Sequence, residues 1–434
     1  MYLCFCFICR FKVSVCVIYS FCLIILIVMG GKKRYSGYKA FDYLEPDFDY
    51  KVFNLVDHPR IEPYIVPLSK TEEERYEELL EKSTLVDLHE HPVLWPEDMT
   101  DVPELHGLGR HFTAYDALSK SSLDCVFDNL MDGMSYATSY AGWKWTDVIH
   151  DIGIRLSDIA HQDMVTHCRT VKDIRDAKAE GKIALVLALE SATPVENELD
   201  RIDVLYGLGV RSMGVCYSES NMLGGGMGET YKDSGLTDFG YDAVMRMNKM
   251  GLLIDVGHTN DRTALETIEA SGDPIYNSHS GPGAIAIGHT NGDEVLQALS
   301  ENDGLIGVGG AGQGLRTEKH PVGSIESYME CVEYCIELMG IDHVGCGPDT
   351  LYGAHQELYK VWFPRKMGHY RRKEPERRSF PVPDGVVDPG YVKGLENPNE
   401  YVNIMRWMIK NGYGDDEIQK IVGGNAIKLL EKVW

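Results

Sequence analysis

The chain has 434 residues, of which 44% are hydrophobic and 25% charged, and carries a formal net charge of −24. This is globular usage with enough apolar material for a large core, and the length suits one (β/α)8 barrel with extensions. The acidic balance excludes a basic nucleic-acid-binding face and by itself names no reaction.

Residues 1–28 form an apolar leader. Its run 13–29 is uncharged, preceded by Arg10 and Lys12 and followed by Lys32, Lys33 and Arg34. Three readings stay open. It is a signal anchor at the short limit of a membrane span, a secretory signal without a small-x-small cleavage site, or an upstream segment ahead of a true start at Met29. The third is preferred and places the protein in the cytoplasm; the first would anchor it in a membrane through residues 13–29. Five of the eleven cysteines lie in the leader. Cys6 and Cys9 make one CxxC with no second pair, which argues against a thiolate zinc site. Cys125, Cys168, Cys216, Cys331, Cys335 and Cys346 lie mostly in apolar stretches, as buried free thiols of a reducing compartment do.

Residues 29–82 read as an N-terminal arm and helix. The polar stretch 30–70 wraps the barrel or a neighbouring subunit, and residues 71–82 (TEEERYEELLEK) make an amphipathic helix with an acidic first turn. From residue 83 to 434, short apolar runs alternate with helical stretches, the pattern of repeated βα units around a parallel sheet. Strands are expected at 84–88, 183–189, 211–216, 252–257, 274–278, 304–308 and 343–347, with one more somewhere in 108–150. No repeat of 20–50 residues and no low-complexity tract is visible. Gly224, Gly225 and Gly226 lack the strand–turn–helix context of a dinucleotide site and read as a flexible loop near the barrel mouth.

Several of the strands end in a metal ligand or an acid: His89 and His91, Glu190, His258, His279, Asp349. Active sites of such barrels collect at the C-terminal strand ends, so six such residues would meet at one mouth. His89 and His91 are two apart on an extended chain and face the same way, with Glu90 pointing away. Glu190 ends the apolar run IALVLALE, where a buried carboxylate is costly unless it is paired, for instance as a bridge between two cations. Neutral imidazole is the commonest metal ligand, and His258 and His279 sit at adjacent strand ends. Asp349, after HVGCG, is placed to take a proton from a metal-bound water and pass it to a leaving group; metal coordination brings the pKa of such a water to about 7. Against each stands a plainer structural role: a salt bridge for Glu190, hydrogen-bonded core positions for His258 and His279, a helix cap for Asp349. No serine or cysteine nucleophile with a base, and no phosphate-binding loop, stands out.

The segments IRDAKAEGKIALVLALES, LYGLGVRSMGV, GLTDFGYDAVMRMNKMGLLIDVGH, NSHSGPGAI, GDEVLQALSENDGLIGV, GIDHVGCGPD and GGNAIKLLEKVW resemble, in order and spacing, the membrane (renal) dipeptidases of the amidohydrolase superfamily, over residues 83–434. The resemblance implies an α/β fold, a (β/α)8 TIM barrel of the metal-dependent amidohydrolase type. It also implies two divalent ions per chain, usually Zn2+, with one ion, or manganese, iron or cobalt, left open. His89, Glu190, His258 and His279 fall on the family's ligand positions with Glu190 as the bridge, and Asp349 falls on its acid/base position.

Three positions depart from the family pattern. His91 stands where the family has Asp, which removes a negative charge from the first metal site. Tyr217, in GVCYSESN, stands where the family has a substrate-binding His, and Thr290, in GHTNGD, stands where an Arg holds the dipeptide carboxylate. Thr supplies no charged bidentate contact. Tyr217, Asn221 and Thr290 are the candidate substrate-facing residues. The expected function is hydrolysis of an amide-type bond (peptide, lactam or imide) or an ester of a small molecule that is not a standard dipeptide. The alternatives are a dipeptidase proper, a mononuclear metal-dependent decarboxylase on the same barrel, and a barrel kept only for binding. A homo-oligomer, dimer or higher, is expected, with no nucleic-acid partner and a membrane partner only if the leader is real. The segment 352–395 reads as a loop over the site, with Trp362, Phe363, His369, Tyr370 and eight Lys or Arg between 360 and 378. It is a lid for an anionic or aromatic substrate, a subunit contact, or a solvated basic loop. Tyr136, Tyr140, Trp143 and Trp145 line the pocket or simply pack.

Overall fold

The computed structural model describes residues 34–434 except 58, 131–142, 230–232, 311–314 and, within 351–389, 351, 353, 354, 356, 359, 362–379, 383, 384 and 387–389. The leader, Tyr136, Tyr140, Trp362, Phe363, His369 and Tyr370 lie outside the described residues. Among the described residues no helix is long and apolar enough to cross a membrane.

Eight parallel strands follow one another around a barrel: β1 (Val86–Glu90), β2 (Cys125–Leu130), β3 (Ile183–Leu189), β4 (Val210–Gly214), β5 (Leu253–Asp255), β6 (Tyr276–Pro282), β7 (Leu305–Val308) and β8 (Val344–Cys346). Each pairs in parallel with the next. The ends of the sheet meet where the Asp349 N–H donates to the His89 carbonyl at 3.1 Å. All seven residues of β3 (IALVLAL) are buried, as expected of a strand covered by helices on one face and barrel side chains on the other. The short strand Val165–His167 pairs with the first three residues of β3 before β4 takes over that edge at Leu187.

β2 is the strand that the sequence left unplaced within 108–150. Its run CVFDNL carries Asp128 and Asn129, which break the apolar pattern, yet all six residues are buried. Asp128 is admitted because Arg155, from the helix Trp145–Ile159, lies 3.2 Å away with its side chain equally buried. Trp143 is buried in the core and Trp145 lies under the Arg201 guanidinium, 4.9 Å from its ring centroid.

Several of the helices between strands start on side-chain caps. Thr170 accepts from the Asp173 N–H in a capping box, and Asn260 accepts from the Thr263 N–H. The second cap lies two residues after His258, so the connection from β5 into its helix is short and holds that histidine at the barrel mouth. The arm packs on its own chain: the Phe41 N–H donates to Asp158 and the Val66 N–H to Asn403. The helix Lys70–Lys82 begins with a Ser69–Glu72 capping box. It is tied to the helix Val402–Lys410 by a two-pronged Glu73–Arg406 pair at 2.7 and 2.8 Å.

Candidate metal centre

His89 and His91 leave β1 on the same side, and their Nε2 atoms lie 3.2 Å apart. The His91 Nδ1 is 2.8 Å from the Asn129 carbonyl. A carbonyl only accepts, so this nitrogen carries the proton and the Nε2 lone pair faces the mouth. From the opposite wall, His258 Nε2 is 3.0 Å from His279 Nε2. Between the two pairs stands Glu190, at the end of β3. Its Oε1 is 3.0 Å from His258, 3.5 Å from His89 and 3.8 Å from His279, and its Oε2 is buried without a hydrogen-bond partner. Asp349 closes the ring, 3.3 Å from His91 Nε2 and 4.0 Å from His89 Nε2. The barrel mouth therefore brings together all six residues that the sequence marked as ligands or acid.

The charges follow the packing. Burial pushes the Glu190 carboxyl up, but the histidines around it, His258 first and then His89, outweigh it and hold the group well below the usual carboxylate range. For Asp349, burial is likewise outweighed, first by the charge of His355 and then by a hydrogen bond from it. Burial lowers His279, helped by the neighbouring His89 and His289. Glu90 points away from His89 and His91 and is buried, not solvated. Its carboxyl is pushed up to about 8 by that burial while it accepts from Thr350 and from the His91 N–H.

Two histidines escaped the sequence analysis. His355 lies 3.5 Å from Asp349 and is buried. His289, buried at the foot of the two-residue strand Thr290–Asn291, stacks on His258 with ring centroids 4.2 Å apart. Neither follows a recognisable strand, so neither carried a positional signal. Three groups have ligand atoms within 4.8 Å of one another: His89, His91 and Asp349; His89, Glu190 and His279; and His258, His279 and His289.

The substrate-facing candidates fall around this ring. Tyr217 is buried, its ring 4.2 Å from that of His258. Thr290 is half-buried and pairs with Gly281. Asn221 puts its amide into its own turn: it donates to the Val215 carbonyl at 2.8 Å and accepts from the Leu223 N–H at 2.8 Å. The glycine cluster, expected to be a flexible loop, is held: Gly226 bridges to Thr259, and the following Met227 N–H donates to the His258 carbonyl at 2.7 Å. A Cβ at 226 would lie 2.2 Å from the Tyr217 carbonyl oxygen, which explains the glycine.

A parallel eight-stranded barrel with histidines and carboxylates at its C-terminal mouth is the architecture of the metal-dependent amidohydrolases. Residues 73–358 match the membrane dipeptidase family, peptidase family M19. The chain belongs to that family. It is 31% identical over 202 residues to an uncharacterized protein of the PQQ-III 3′ region of Acinetobacter calcoaceticus, covering 44% of this chain and 64% of that one. It is 24% identical over 303 residues to the dipeptidase tcpJ of Claviceps purpurea, covering 69% of this chain and 62% of that one. The chain thus spans just under two thirds of the length of both. In fold it is similar to a solved amidohydrolase from Pseudomonas aeruginosa, with a TM-score of 0.65, 23% identity, and coverage of 83% of this chain and 99% of that one.

Proposed function

We propose that this protein is a metal-dependent hydrolase that holds two divalent cations, zinc foremost, and cleaves an amide-type bond or an ester of a small molecule other than a standard dipeptide. The observation that carries this is the position of Glu190, whose Oε1 lies within 3.8 Å of three imidazole Nε2 atoms drawn from both walls of the mouth. The donor set fits a cation. Two Nε2 lone pairs facing each other at 3.0 Å, as in His258 and His279, repel unless something positive lies between them. The spacing is close to the edge of a tetrahedron of imidazole ligands, roughly 3.3 Å for zinc–nitrogen distances of about 2.0–2.1 Å. His89, His91 and Glu190 would hold one ion, and Glu190, His258 and His279 the other. Bound there, the ions would supply Lewis acidity and acidify a water.

The protein's own groups do the rest. Asp349, ionised at neutral pH and oriented by His355, takes the proton of the attacking water and returns it to the leaving group. Tyr217 beside His258, and Thr290 where a carboxylate-binding Arg is expected, leave no guanidinium at those two positions for the carboxylate of a dipeptide. His91 in place of a carboxylate leaves the centre one negative charge short, which favours an anionic substrate over a zwitterion. The buried free thiols of Cys168, Cys331, Cys335 and Cys346 suit the cytoplasm, and a homo-oligomer remains the expected assembly.

The test is elemental analysis of the purified protein together with a turnover screen of dipeptides, N-acyl amides, lactams, imides and esters. About two metals per chain with turnover outside the dipeptides is the expected result. Ordinary turnover of Gly- and Ala-type dipeptides would overturn the substrate assignment in favour of a dipeptidase, as the fungal relative is named. One metal per chain with carbon dioxide release would replace hydrolysis by decarboxylation.

A further inference from the structure

The two candidate metal sites share a hydroxyl. Ser278, fully buried on β6, places its Oγ 3.0 Å from His89 Nδ1 and 2.8 Å from His279 Nδ1. These histidines belong to opposite sides of the centre: the Nε2 of His89 faces His91, and that of His279 faces His258. The Asp255 carboxylate on β5 fixes the backbone here, accepting from the Gly257 N–H at 2.8 Å and the Ser278 N–H at 2.9 Å.

The protons can be counted. A serine hydroxyl has one hydrogen to give and two lone pairs. Its single hydrogen can serve only one of the two rings, whereas its two lone pairs can accept from both. The arrangement that treats both rings alike has both Nδ1 atoms protonated, each donating to one lone pair of Ser278. A neutral imidazole protonated at Nδ1 has a bare lone pair at Nε2. One hydroxyl thus sets the tautomer of one ligand on each side of the centre, and sets it to the form a cation needs. The strand has little freedom to move: a Cβ on Gly347, just after β8, would lie 2.1 Å from the Ser278 carbonyl oxygen and 3.2 Å from His89 Cβ.

We infer that Ser278, held by Asp255, is a positioning residue that prepares His89 and His279 together and so couples the affinities of the two metal sites. This rests on the assignment of those histidines as ligands. Outer partners of metal-bound histidines change metal affinity on the order of 10–100-fold when they are removed. A shared partner should produce such a loss at both sites in a single substitution.

The experiment titrates Zn2+, and Co2+ for its absorption bands, into metal-free wild type, Ser278→Ala and Ser278→Thr. Histidine 15N spectra of the metal-free proteins are recorded alongside. Ser278→Ala should weaken both binding steps on the order of 10–100-fold without changing the melting temperature of the metal-free protein. Ser278→Thr, which keeps the hydroxyl, should restore both. The wild-type spectra should show His89 and His279 protonated at Nδ1, and Ser278→Ala should lose that uniformity. Unchanged affinities in Ser278→Ala, or a loss confined to one site, would overturn the inference; so would an Nε2-protonated His89 or His279 in wild type. If wild type binds no metal, the ligand assignment fails, and the spectra alone decide whether Ser278 sets the tautomers.

Discussion

The pair formed by Arg155 and Asp128 offers the sharpest test of how the barrel supports its mouth. The Arg155 Nε lies 3.2 Å from Asp128 Oδ2, the side chains are 3% and 1% exposed, and Nη1 donates to Thr113 at 2.8 Å. Burial pushes the Asp128 carboxyl up; Arg155 first, and His91 second, pull it back. Arg155→Met keeps the length and apolar stem of the side chain but strands a carboxylate inside the barrel wall, which costs about 3–5 kcal/mol. The double substitution Asp128→Leu with Arg155→Met removes both charges and should recover most of that loss, because swapping a buried pair for apolar residues is often neutral or better. The neighbouring Asn129 carbonyl anchors His91, so the single variant should also lose metal. The deficit has a defined pH sign. Without Arg155 the folded-state pKa of Asp128 rises further above its unfolded value, so the single variant gains relative stability as pH falls and loses it as pH rises. Urea unfolding midpoints at constant free zinc, at neutral and mildly acidic pH, measure all of this. A single variant within about 1 kcal/mol of wild type, the scale of an exposed pair, would refute the reasoning. So would a double variant no more stable than the single one.

Three further outcomes are expected. Asp349→Asn should lower kcat on the order of 10²–10⁴-fold while metal per chain stays at the wild-type value; loss of metal would move Asp349 from acid/base to ligand. Glu190→Gln keeps an oxygen but removes the charge between the two histidine pairs, so metal per chain should fall while the metal-free protein still melts cooperatively; full metal content would refute its bridging place. His106, packed beside Trp95 with ring centroids 5.4 Å apart, is brought down to about 4 by burial. Its neutral form is the folded one, so its contribution to stability is present above its ordinary pKa of about 6.5 and is lost as pH falls toward about 4, at no more than about 1.4 kcal/mol per pH unit. His106→Gln should flatten the acid limb of the melting curve between those values, and a limb identical to wild type would show that this histidine does not set it.

What the sequence disclosed and what it withheld have physical causes. β3 was legible because a strand buried on both faces is an unbroken apolar run, and Glu190 because it ends that run. Alternation along β1 correctly turned His89 and His91 one way and Glu90 the other. It could not show that Thr350 donates to Glu90, since that partner lies 260 positions away in the chain. β2 was hidden because Asp128, which breaks its apolar run, is compensated by Arg155, a partner on another element. His355 was hidden because it follows a loop, and its meaning lies only in its distance to Asp349.

The remaining histidine, His289, shows why proximity alone does not make a ligand. It lies close enough to His258 and His279 to count as a third donor. Yet its ring is nearly parallel to that of His258, at an interplanar angle of 28°, and imidazole lone pairs lie in the ring plane. Two stacked rings aim side by side and do not converge on one ion at about 2 Å. Its Nε2 is already engaged, accepting from the His258 N–H at 3.2 Å. What that bond holds is a backbone under strain: His258 has a φ of 61°, left-handed for a non-glycine residue, as does Asp349 across the mouth. Such a conformation costs about 1–3 kcal/mol and persists only where its surroundings enforce it. Continued alternation from β5, whose Asp255 faces Ser278 while Val256 joins the outer core, would turn residue 258 outward with Val256. The left-handed turn swings His258 back over the mouth to Glu190, and the His289 ring and nitrogen hold it there. Both left-handed positions at the mouth carry groups to which the proposed chemistry gives a role, so the strain sits where the strand geometry alone would aim the side chain wrongly.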